Sequence, residues 1–365
     1  MENTIVMSWS TVKCPDSIPW SYAIYNWDTY WIATDSIDDV HEKIFTDLFD
    51  SSLICTSHVT NMEYFFQNME NLFQWELFDL DVSTWDTSNV TSMLRMFSST
   101  ETFNWDLSSW DTSNVTNMNE MFWYAKKFNQ DISSWDTSSV VDMSYMFSYT
   151  YEFNKDIIWQ DTSSVTDMSG MFYNSKAFNW DINSWDTSNV IDMSNMFSAS
   201  SVFNRDLNSW DTSSVIDMNN MFYSAVNFNW NIGSWDTSSV TDMSGMFTGA
   251  ETFNRDLNSW NTSNVIDMAA MFLSAGNFNW NISSWDTSSV NALTTMFRAA
   301  SSFNRDISSW NTSNVTIMHG MFRDATSFDQ NVSWWDVSNV TNHYWFSYGS
   351  PINWTSYVPP AFWNQ

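Results

Sequence analysis

The amino-acid sequence predicts an α/β solenoid that is capped at both ends. Three observations favour this fold class. A phrase that begins Trp-Asp-Thr-Ser and ends Met-Phe, typified by residues 185–197, returns every 25 residues, and its central valine recurs from Val90 to Val340 without a change in spacing. Apolar residues keep fixed places within the repeat, and both ends of the chain depart from it. Such self-similarity is typical of coils that bury their apolar faces only by stacking on one another.

The composition excludes several classes of protein. Aromatic residues make up 18% of the 365 residues and there are only seven glycines, so enough apolar surface is present to offset the entropy of folding. Forty-two acidic residues face twelve basic ones, for a formal charge of -30. This charge disfavours binding to nucleic acid or to anionic membrane surfaces. We therefore expect one elongated domain that binds neither.

The start of the chain has no basic n-region, and no apolar run reaches the roughly 20 residues of a membrane span. We expect no signal peptide, no membrane insertion and synthesis in the cytosol. The final location stays open, and a virion or a cell-surface assembly is one option. Cys14 and Cys55 could be two buried free thiols or one disulfide within the N-terminal cap, and the sequence leaves both interpretations open.

Residues 1–55 lack the repeat and are rich in aromatic residues, so we predict an N-terminal cap that covers the first coil. Ser36-Ile-Asp-Asp resembles a helix N-cap with an acidic third position, and Val40, Ile44 and Leu48 follow at helical spacing. The cap is therefore predicted to contain one amphipathic helix near 37–49.

Residues 56–346 are predicted to form the solenoid, with an irregular first repeat and a loop at 67–77. If Phe178 is counted as position 1, positions 1, 5, 8, 13, 16, 19, 20 and often 23 are apolar and should form the core. The residues around Val190 are β-branched or small, which predicts a short strand. Ser194 is a candidate N-cap for a short helix or 3₁₀ turn.

Residues 347–365 lose the repeat, and prolines stop regular structure there. The segment is predicted to be either a C-terminal cap or a tail that docks on a partner. The aromatic residues that would serve in either role are Trp354, Tyr357, Phe362 and Trp363.

The consensus Phe-Asn-x-Asp-Ile-x-Ser-Trp-Asp-Thr-Ser-x-Val-x-Asp-Met-x-x-Met-Phe resembles the bacterial surface protein repeat of mycoplasma lipoproteins and BspA-type surface proteins. The resemblance covers roughly residues 56–346. It implies a right-handed, leucine-rich-repeat-like solenoid that is used at surfaces for adhesion or protein contact. It implies no catalysis.

Tryptophan and arginine alternate at position 3, so the true period over residues 178–327 is 50. If this position faces outward, each guanidinium would lie between two indoles, in a cation-π ladder worth roughly 0.5 to 1 kcal/mol per exposed contact. Recent duplication of a 50-residue unit explains the same alternation, and the two interpretations are compatible. The predicted interaction ladder consists of Trp180, Arg205, Trp230, Arg255, Trp280 and Arg305.

Position 15 is aspartate in six consecutive repeats. Carboxylates stacked at strand spacing repel one another unless a cation or hydrogen-bond donors intervene, and Ca²⁺ is the ion that suits such oxygens. Each carboxylate could instead accept backbone N–H groups of the following turn, which is the favoured interpretation. The residues of this candidate Ca²⁺ ladder are Asp142, Asp167, Asp192, Asp217, Asp242 and Asp267.

Position 10 is threonine from Thr87 to Thr312. A flat threonine array would suit ice binding, but charged neighbours such as Asp186 disfavour it, and hydroxyl groups that bond along the column are the favoured interpretation. The histidines are scattered without metal-ligand spacing, and no phosphate loop or nucleophile elbow occurs. We therefore expect no enzyme and no cofactor, with Ca²⁺ as the single candidate ion.

Together these patterns predict a non-enzymatic structural or interaction protein. Its repeats would form a rigid scaffold for protein–protein contact or surface adhesion. A protein partner, or a second copy of the chain, would bind at a long face or at the ends. The alternative is a ligand-binding surface protein that uses its side-chain ladders to bind Ca²⁺, a glycan or ice.

Overall fold

The computed structural model describes residues 6–8, 11–13, 22–25, 28–32, 54–56, 59–67, 82–158 and 161–362. The chain divides into two compact units, Met1–Val165 and Thr166–Gln365, and each is described by itself. Several sequence predictions lie outside the described residues. These are the helix near 37–49, the loop at 67–77 beyond Gln67, the pairing of Cys14 with Cys55, and the role of Trp363.

The N-terminal part of the first unit contains strands that the sequence analysis did not predict. Strand β1 (Val6–Ser8) pairs antiparallel with β2 (Thr11–Lys13), and β3 (Tyr22–Tyr25) pairs antiparallel with β4 (Asp28–Ile32). β4 also pairs in parallel with β5 (Ile54–Cys55). Aromatic and β-branched residues favour strands here. The three-stranded sheet β3-β4-β5 therefore ends on the strand that leads into the first coil.

In each unit the repeats form coils whose equivalent residues lie in columns. The predicted core positions are confirmed: Phe203, Leu207, Val215 and Met218 are all 0% exposed, and their equivalents in the other coils are buried except at Val340 and His343 in the last coil. Phenylalanine rings at position 20 stack parallel on one another, for example Phe197 on Phe222 with centroids 5.7 Å apart. Large aromatic side chains supply most of the buried apolar area in such a core.

The tryptophans at position 8 form a second buried column. Trp210 and Trp235 stack with centroids 6.3 Å apart and planes 5° from parallel. The Nε1–H of Trp235 donates to the backbone oxygen of Leu207, one coil earlier, at 3.0 Å. This bond satisfies the polar atom that a buried indole carries. The tryptophan column therefore holds neighbouring coils in register.

The predicted short strand and short helix are corrected by the structure. Extended pairing narrows to one isolated parallel bridge per coil, such as Asp192 with Asp217. The segment after it consists of turns, and within the coils at 82–158 and 161–362 the one helical element is the 3₁₀ turn Pro360–Phe362. The reason lies in the direction of the backbone N–H groups.

In the segment after the bridge, the N–H groups alternate in direction. Phe197 N–H donates to the oxygen of Met221 in the next coil at 2.9 Å, whereas Met196 N–H donates to Met193 in its own coil at 3.3 Å. An α-helix would direct its N–H groups along its own axis and leave the stacking without hydrogen bonds. The alternating directions supply hydrogen bonds both within each turn and between stacked coils. The same inter-coil bonds in the first unit link Phe97 to Met121 and Phe122 to Met146.

This alternation needs two left-handed residues per coil, at positions 18 and 22. Glycine takes position 18 at Gly245, with φ of 64°, but Arg95, Thr295 and Ala270 take it with φ of 52°, 52° and 56°. Non-glycine residues rarely adopt this conformation, because the Cβ atom approaches the following carbonyl oxygen. The inter-coil hydrogen bonds therefore hold a backbone conformation that most of these residues disfavour.

Aspartate and asparagine side chains close up to three turns in a coil. At positions 4, 9 and 15 an Oδ1 atom accepts the N–H two residues later, as in Asp206 with Asn208 at 2.9 Å and Asp192 with Ser194 at 2.8 Å. Such Asx turns are a local use of these side chains. Much of the strongly acidic composition therefore follows from turn chemistry that recurs along the coils.

Within the part of the chain that the structure describes, no helix has the length and apolar character that crossing a membrane requires.

Candidate interaction surfaces

The predicted interaction ladder lies on the outside of the second unit. Trp180, Trp230 and Trp280 are 40%, 41% and 41% exposed, and the arginines between them are exposed as well. Indoles and guanidinium groups therefore alternate along one exposed column. We name Trp180, Arg205, Trp230, Arg255, Trp280 and Arg305 the Trp/Arg stripe.

Hydrogen bonds to the backbone orient the side chains of the Trp/Arg stripe. Arg255 Nε donates to the oxygen of Asn229 at 2.6 Å, and Trp280 Nε1 donates to the oxygen of Asn254 at 2.8 Å. Among the described residues, neither Arg255 nor Arg305 makes a cation-π contact with Trp280. Around Trp280 the expected cation-π contact is thus replaced by side-chain to backbone bonds, because both side chains reach the position-2 carbonyl group of the coil before their own.

The asparagines at position 2 form a parallel ladder beside the Trp/Arg stripe. Asn229 Oδ1 accepts the N–H of Asn254 at 3.0 Å, and Asn254 Oδ1 accepts the N–H of Asn279 at 3.1 Å. These bonds fix the backbone from which the stripe projects. The guanidinium Nη atoms and the indole faces are therefore presented on a rigid frame.

The aspartates at position 15 are half-buried and act in turns. Burial raises the pKa of Asp217 despite its hydrogen bonds from Asn219, and the neighbouring carboxylates of Asp192 and Asp242 raise it further. Burial likewise raises the pKa of Asp267. Among the described residues, no group of three or more His, Cys, Asp or Glu side chains is placed to hold a metal ion. The hydrogen bonds of these aspartates are the ones expected if each carboxylate closes the following turn.

The threonines at position 10 are buried rather than exposed. Thr187 is 1% exposed, and its Oγ1 donates to the oxygen of Asp211 in the next coil at 2.8 Å. Its equivalents, including Thr237 and Thr287, make the same bond at 2.9 Å. The column therefore offers no flat threonine face, and its hydroxyl groups bond to backbone oxygens rather than to one another.

The C-terminal segment places its aromatic residues in different roles. Phe362 is 2% exposed and stacks on the ring of His343 with centroids 3.9 Å apart. Tyr357 accepts the N–H of Val332 at 2.9 Å through its backbone oxygen. Trp354 is 40% exposed. Phe362 therefore covers the last coil, while Trp354 faces outward.

A cleft of about 570 Å³ lies over the last coil, and the sequence analysis missed it. Its lining includes Trp345, Ser347, Tyr348 and Trp354. We name it the C-terminal cleft. Serine stands here at position 20, where the preceding coil has Phe322. That break in the phenylalanine column is the signal in the sequence that could have located the cleft.

Comparison with known proteins identifies one family and one weakly similar solved structure. No curated protein matches the chain. Among solved structures the chain is similar to one described as "Crystal structure of TLR13-ssRNA13 complex", with 8% identity and a TM-score of 0.21. The likeness covers 89% of this chain and 61% of that one. At this level it carries no argument about fold or function.

The model of the family described as "Mycoplasma protein of unknown function, DUF285" matches residues 41–160, 150–260 and 245–354. The tandem matches confirm the repeat architecture and the predicted resemblance to a mycoplasma repeat family. They also span most of the coils described above. The chain therefore belongs to the DUF285 family.

Proposed function

We propose that the protein is a non-enzymatic repeat scaffold that binds a protein partner through the Trp/Arg stripe. The observation that carries this proposal is the exposure of alternating indole and guanidinium groups on a hydrogen-bonded frame. Tryptophan and arginine are the residue types most enriched among side chains that dominate protein–protein binding energy. Preorganised side chains lose little further entropy on binding, which favours affinity.

The charge of the chain supports a partner of a particular kind. The formal charge is -30, yet the stripe places three arginines on one column of the second unit. The stripe therefore combines apolar area with local positive charge on an otherwise acidic protein. A partner surface with aromatic or aliphatic residues next to carboxylates would complement it.

Several finer features belong to this proposal. The repeat consensus resembles BspA-type surface proteins, which supports a right-handed, leucine-rich-repeat-like coil and a role in surface adhesion. Incorporation into a virion or a cell-surface assembly fits the same scaffold. The non-enzymatic part of the proposal is supported by two observations. The sequence contains no catalytic motif, and the described residues contain no group of side chains placed to bind a metal ion.

Site-specific cross-linking would test the stripe. A photoreactive amino acid in place of Trp230 should give a discrete adduct with the partner in the source cells. The same amino acid in place of Ile266, which is 47% exposed on another column, serves as the control. Substitution of Arg255 and Trp280 by Ala should then weaken the adduct from position 230. Equal labelling from both positions, or adducts that ignore the substitutions, would contradict the proposal.

Glycan binding is the second candidate, and the exposed indoles favour it. Trp230 and Trp280 lie two coils apart, about 10 Å at strand-like spacing, which suits stacking on alternate sugar rings. A change in tryptophan fluorescence with soluble oligosaccharides, abolished by Trp230→Ala, would favour this function over protein contact.

A further inference from the structure

The last coil carries a row of backbone N–H groups without acceptors. In each earlier coil of the second unit, these N–H groups donate to carbonyl oxygens of the next coil, as Gly320 does to Tyr344 at 2.9 Å and Phe322 does to Phe346. The equivalent N–H groups one coil later have no acceptor among the described residues. They belong to His343, Trp345, Ser347 and Gly349.

The four residues that carry these N–H groups line the C-terminal cleft. Phe362 covers the apolar core of the last coil, but Trp345 and Tyr348 beside the row remain 51% and 57% exposed. Ser347 is 1% exposed, and its Oγ atom is buried without a hydrogen-bond partner. Buried polar groups in native proteins are nearly always paired, so the row of N–H groups and this hydroxyl together favour a ligand that brings polar main-chain atoms into the cleft.

The interior of the molecule shows what pairs with such a row. Residues 267–273 present alternate carbonyl oxygens to the preceding coil, where Gly245 N–H donates to Ala269 at 2.8 Å and Phe247 N–H donates to Met271 at 2.9 Å. The same segment places Phe272 on the ring of Phe247 with centroids 5.6 Å apart. A matching ligand therefore needs alternate carbonyl oxygens and one large apolar side chain.

We propose that the C-terminal cleft binds an extended polypeptide segment of a partner protein, which continues the inter-coil hydrogen bonds and inserts one large apolar side chain above Ser347. Addition of an extended segment to an unpaired backbone edge is a general mode of peptide recognition. The segment carries no acidic residues, because the net charge of -30 would repel them. This inference rests on the proposed role in protein contact but uses a different surface from the Trp/Arg stripe.

A folded second copy fits the cleft less well than a single segment does. The core residues of the first coil at 59–67, Met62, Phe65 and Phe66, are already at most 3% exposed. Phe362 likewise covers the last coil. The apolar side chains of the first and last described coils are thus buried, whereas the N–H row beside the C-terminal cleft has no acceptor among the described residues, so a thin ligand suits it better than a folded copy.

A peptide from the chain itself is the probe. It has the sequence of residues 265–274, Val-Ile-Asp-Met-Ala-Ala-Met-Phe-Leu-Ser, with Asp267 changed to Asn and lysines added at both ends. This peptide supplies the carbonyl pattern and the apolar side chain that the proposal requires. Binding to the full chain should slow amide hydrogen exchange at Trp345, Ser347 and Gly349, and a scrambled peptide should not.

Variants of the cleft complete the test. Trp354→Ala removes a wall and Ser347→Phe restores the phenylalanine of the other coils, and each should weaken peptide binding about tenfold. Trp334→Ala changes a residue that is 84% exposed and does not line the cleft, so binding should persist. Absence of peptide binding would overturn the proposal. Protection of the same amides in the free monomer or in a self-associated form would also overturn it, because the chain itself would then fill the cleft.

Discussion

At the scale of single residues, the fold depends on carboxylates that close turns. Asp211 accepts both the Oγ–H and the N–H of Ser213, and these bonds lower its pKa. At position 15 the same device places half-buried charges in one column, where burial and neighbouring carboxylates raise the pKa of Asp217. Replacement of these two kinds of aspartate by asparagine should therefore change the free energy of unfolding in opposite directions.

Asp217→Asn should stabilise the protein at pH 7. Asparagine already fills this position at Asn117, whose Oδ1 accepts the N–H of Asn119 at 2.8 Å, so the turn survives while a repelled charge is removed. We expect the free energy of unfolding to rise by about 0.5 kcal/mol. Because the folded-state pKa is raised, the wild type recovers this stability as the pH falls to the ordinary value of Asp, about 4. Urea unfolding at pH 7 and pH 4 measures the difference.

Asp211→Asn is the matched control, and it should destabilise the protein at pH 7. A lowered pKa contributes stability that is present above the ordinary value of Asp and is lost as the pH falls through the lowered value. The variant should therefore approach the wild type at acidic pH. Changes of the same sign in Asp217→Asn and Asp211→Asn would contradict this assignment.

The left-handed residues give a second prediction at this scale. Ala270 has φ of 56°, and Ala270→Gly should raise the free energy of unfolding by about 0.5 to 1 kcal/mol, because glycine adopts this conformation without the Cβ clash. Ala275, which is 0% exposed and lies outside the positive-φ set, provides the comparison. Ala275→Gly should lower stability by a similar amount. Thermal unfolding of both variants checks the pair, and a loss in Ala270→Gly would argue against the left-handed turn.

At the scale of the coil, the sequence predicted the core but not the backbone path. Fixed apolar positions determine which side chains are buried, and Phe203 and Val215 are indeed 0% exposed. The left-handed turns could not be predicted, because Arg95 and Thr295 occupy them instead of the glycine that normally marks such a position. Their conformation comes from hydrogen bonds to the next coil, which local sequence does not reveal.

Of the two candidate surfaces, one was predictable from the sequence and the other was not. Alternation at position 3 marked the Trp/Arg stripe, because an outward column tolerates both indole and guanidinium side chains. The C-terminal cleft depends on where Phe362 folds back over His343. This contact joins two segments, and the sequence does not show that they lie next to each other. The single clue was Ser347 at the end of the phenylalanine column.

The two tryptophan columns allow a prediction at the scale of the coil. Trp235→Phe removes the bond from Nε1 to the oxygen of Leu207, a residue that is 0% exposed, and leaves that oxygen with the N–H of Trp210 at 3.3 Å as its remaining donor. We expect the free energy of unfolding to fall by about 0.5 to 1.5 kcal/mol. Trp230→Phe removes a similar bond to Asn204 at 2.9 Å on the exposed stripe, where water can replace it. Chemical denaturation that showed equal losses would contradict the buried register bond.

At the scale of the whole molecule, the formal charge of -30 opposes the compact state. Exposed carboxylates such as Asp186 and Asp236 recur in most coils, where they close the same turn that Asn261 closes without a charge. Screening by salt should reduce their repulsion, since the Debye length falls from about 30 Å at 0.01 M to about 8 Å at 0.15 M. We therefore expect the melting temperature to rise with added NaCl over this range. An unchanged melting temperature would mean that the charges are too far apart to interact.

The central claim is that alternate N–H groups join each coil to the next. Residue-resolved amide hydrogen exchange tests it most directly. In the coil that follows Val240, Gly245 and Phe247 donate to the next coil at 2.8 and 2.9 Å, so their amides should be strongly protected. Their equivalents in the last coil, Trp345 and Ser347, should exchange faster in the free protein. In the short helix that the sequence alone suggested, Gly245 and Phe247 would lie in the first turn without acceptors. Rapid exchange at these two residues would therefore contradict the account.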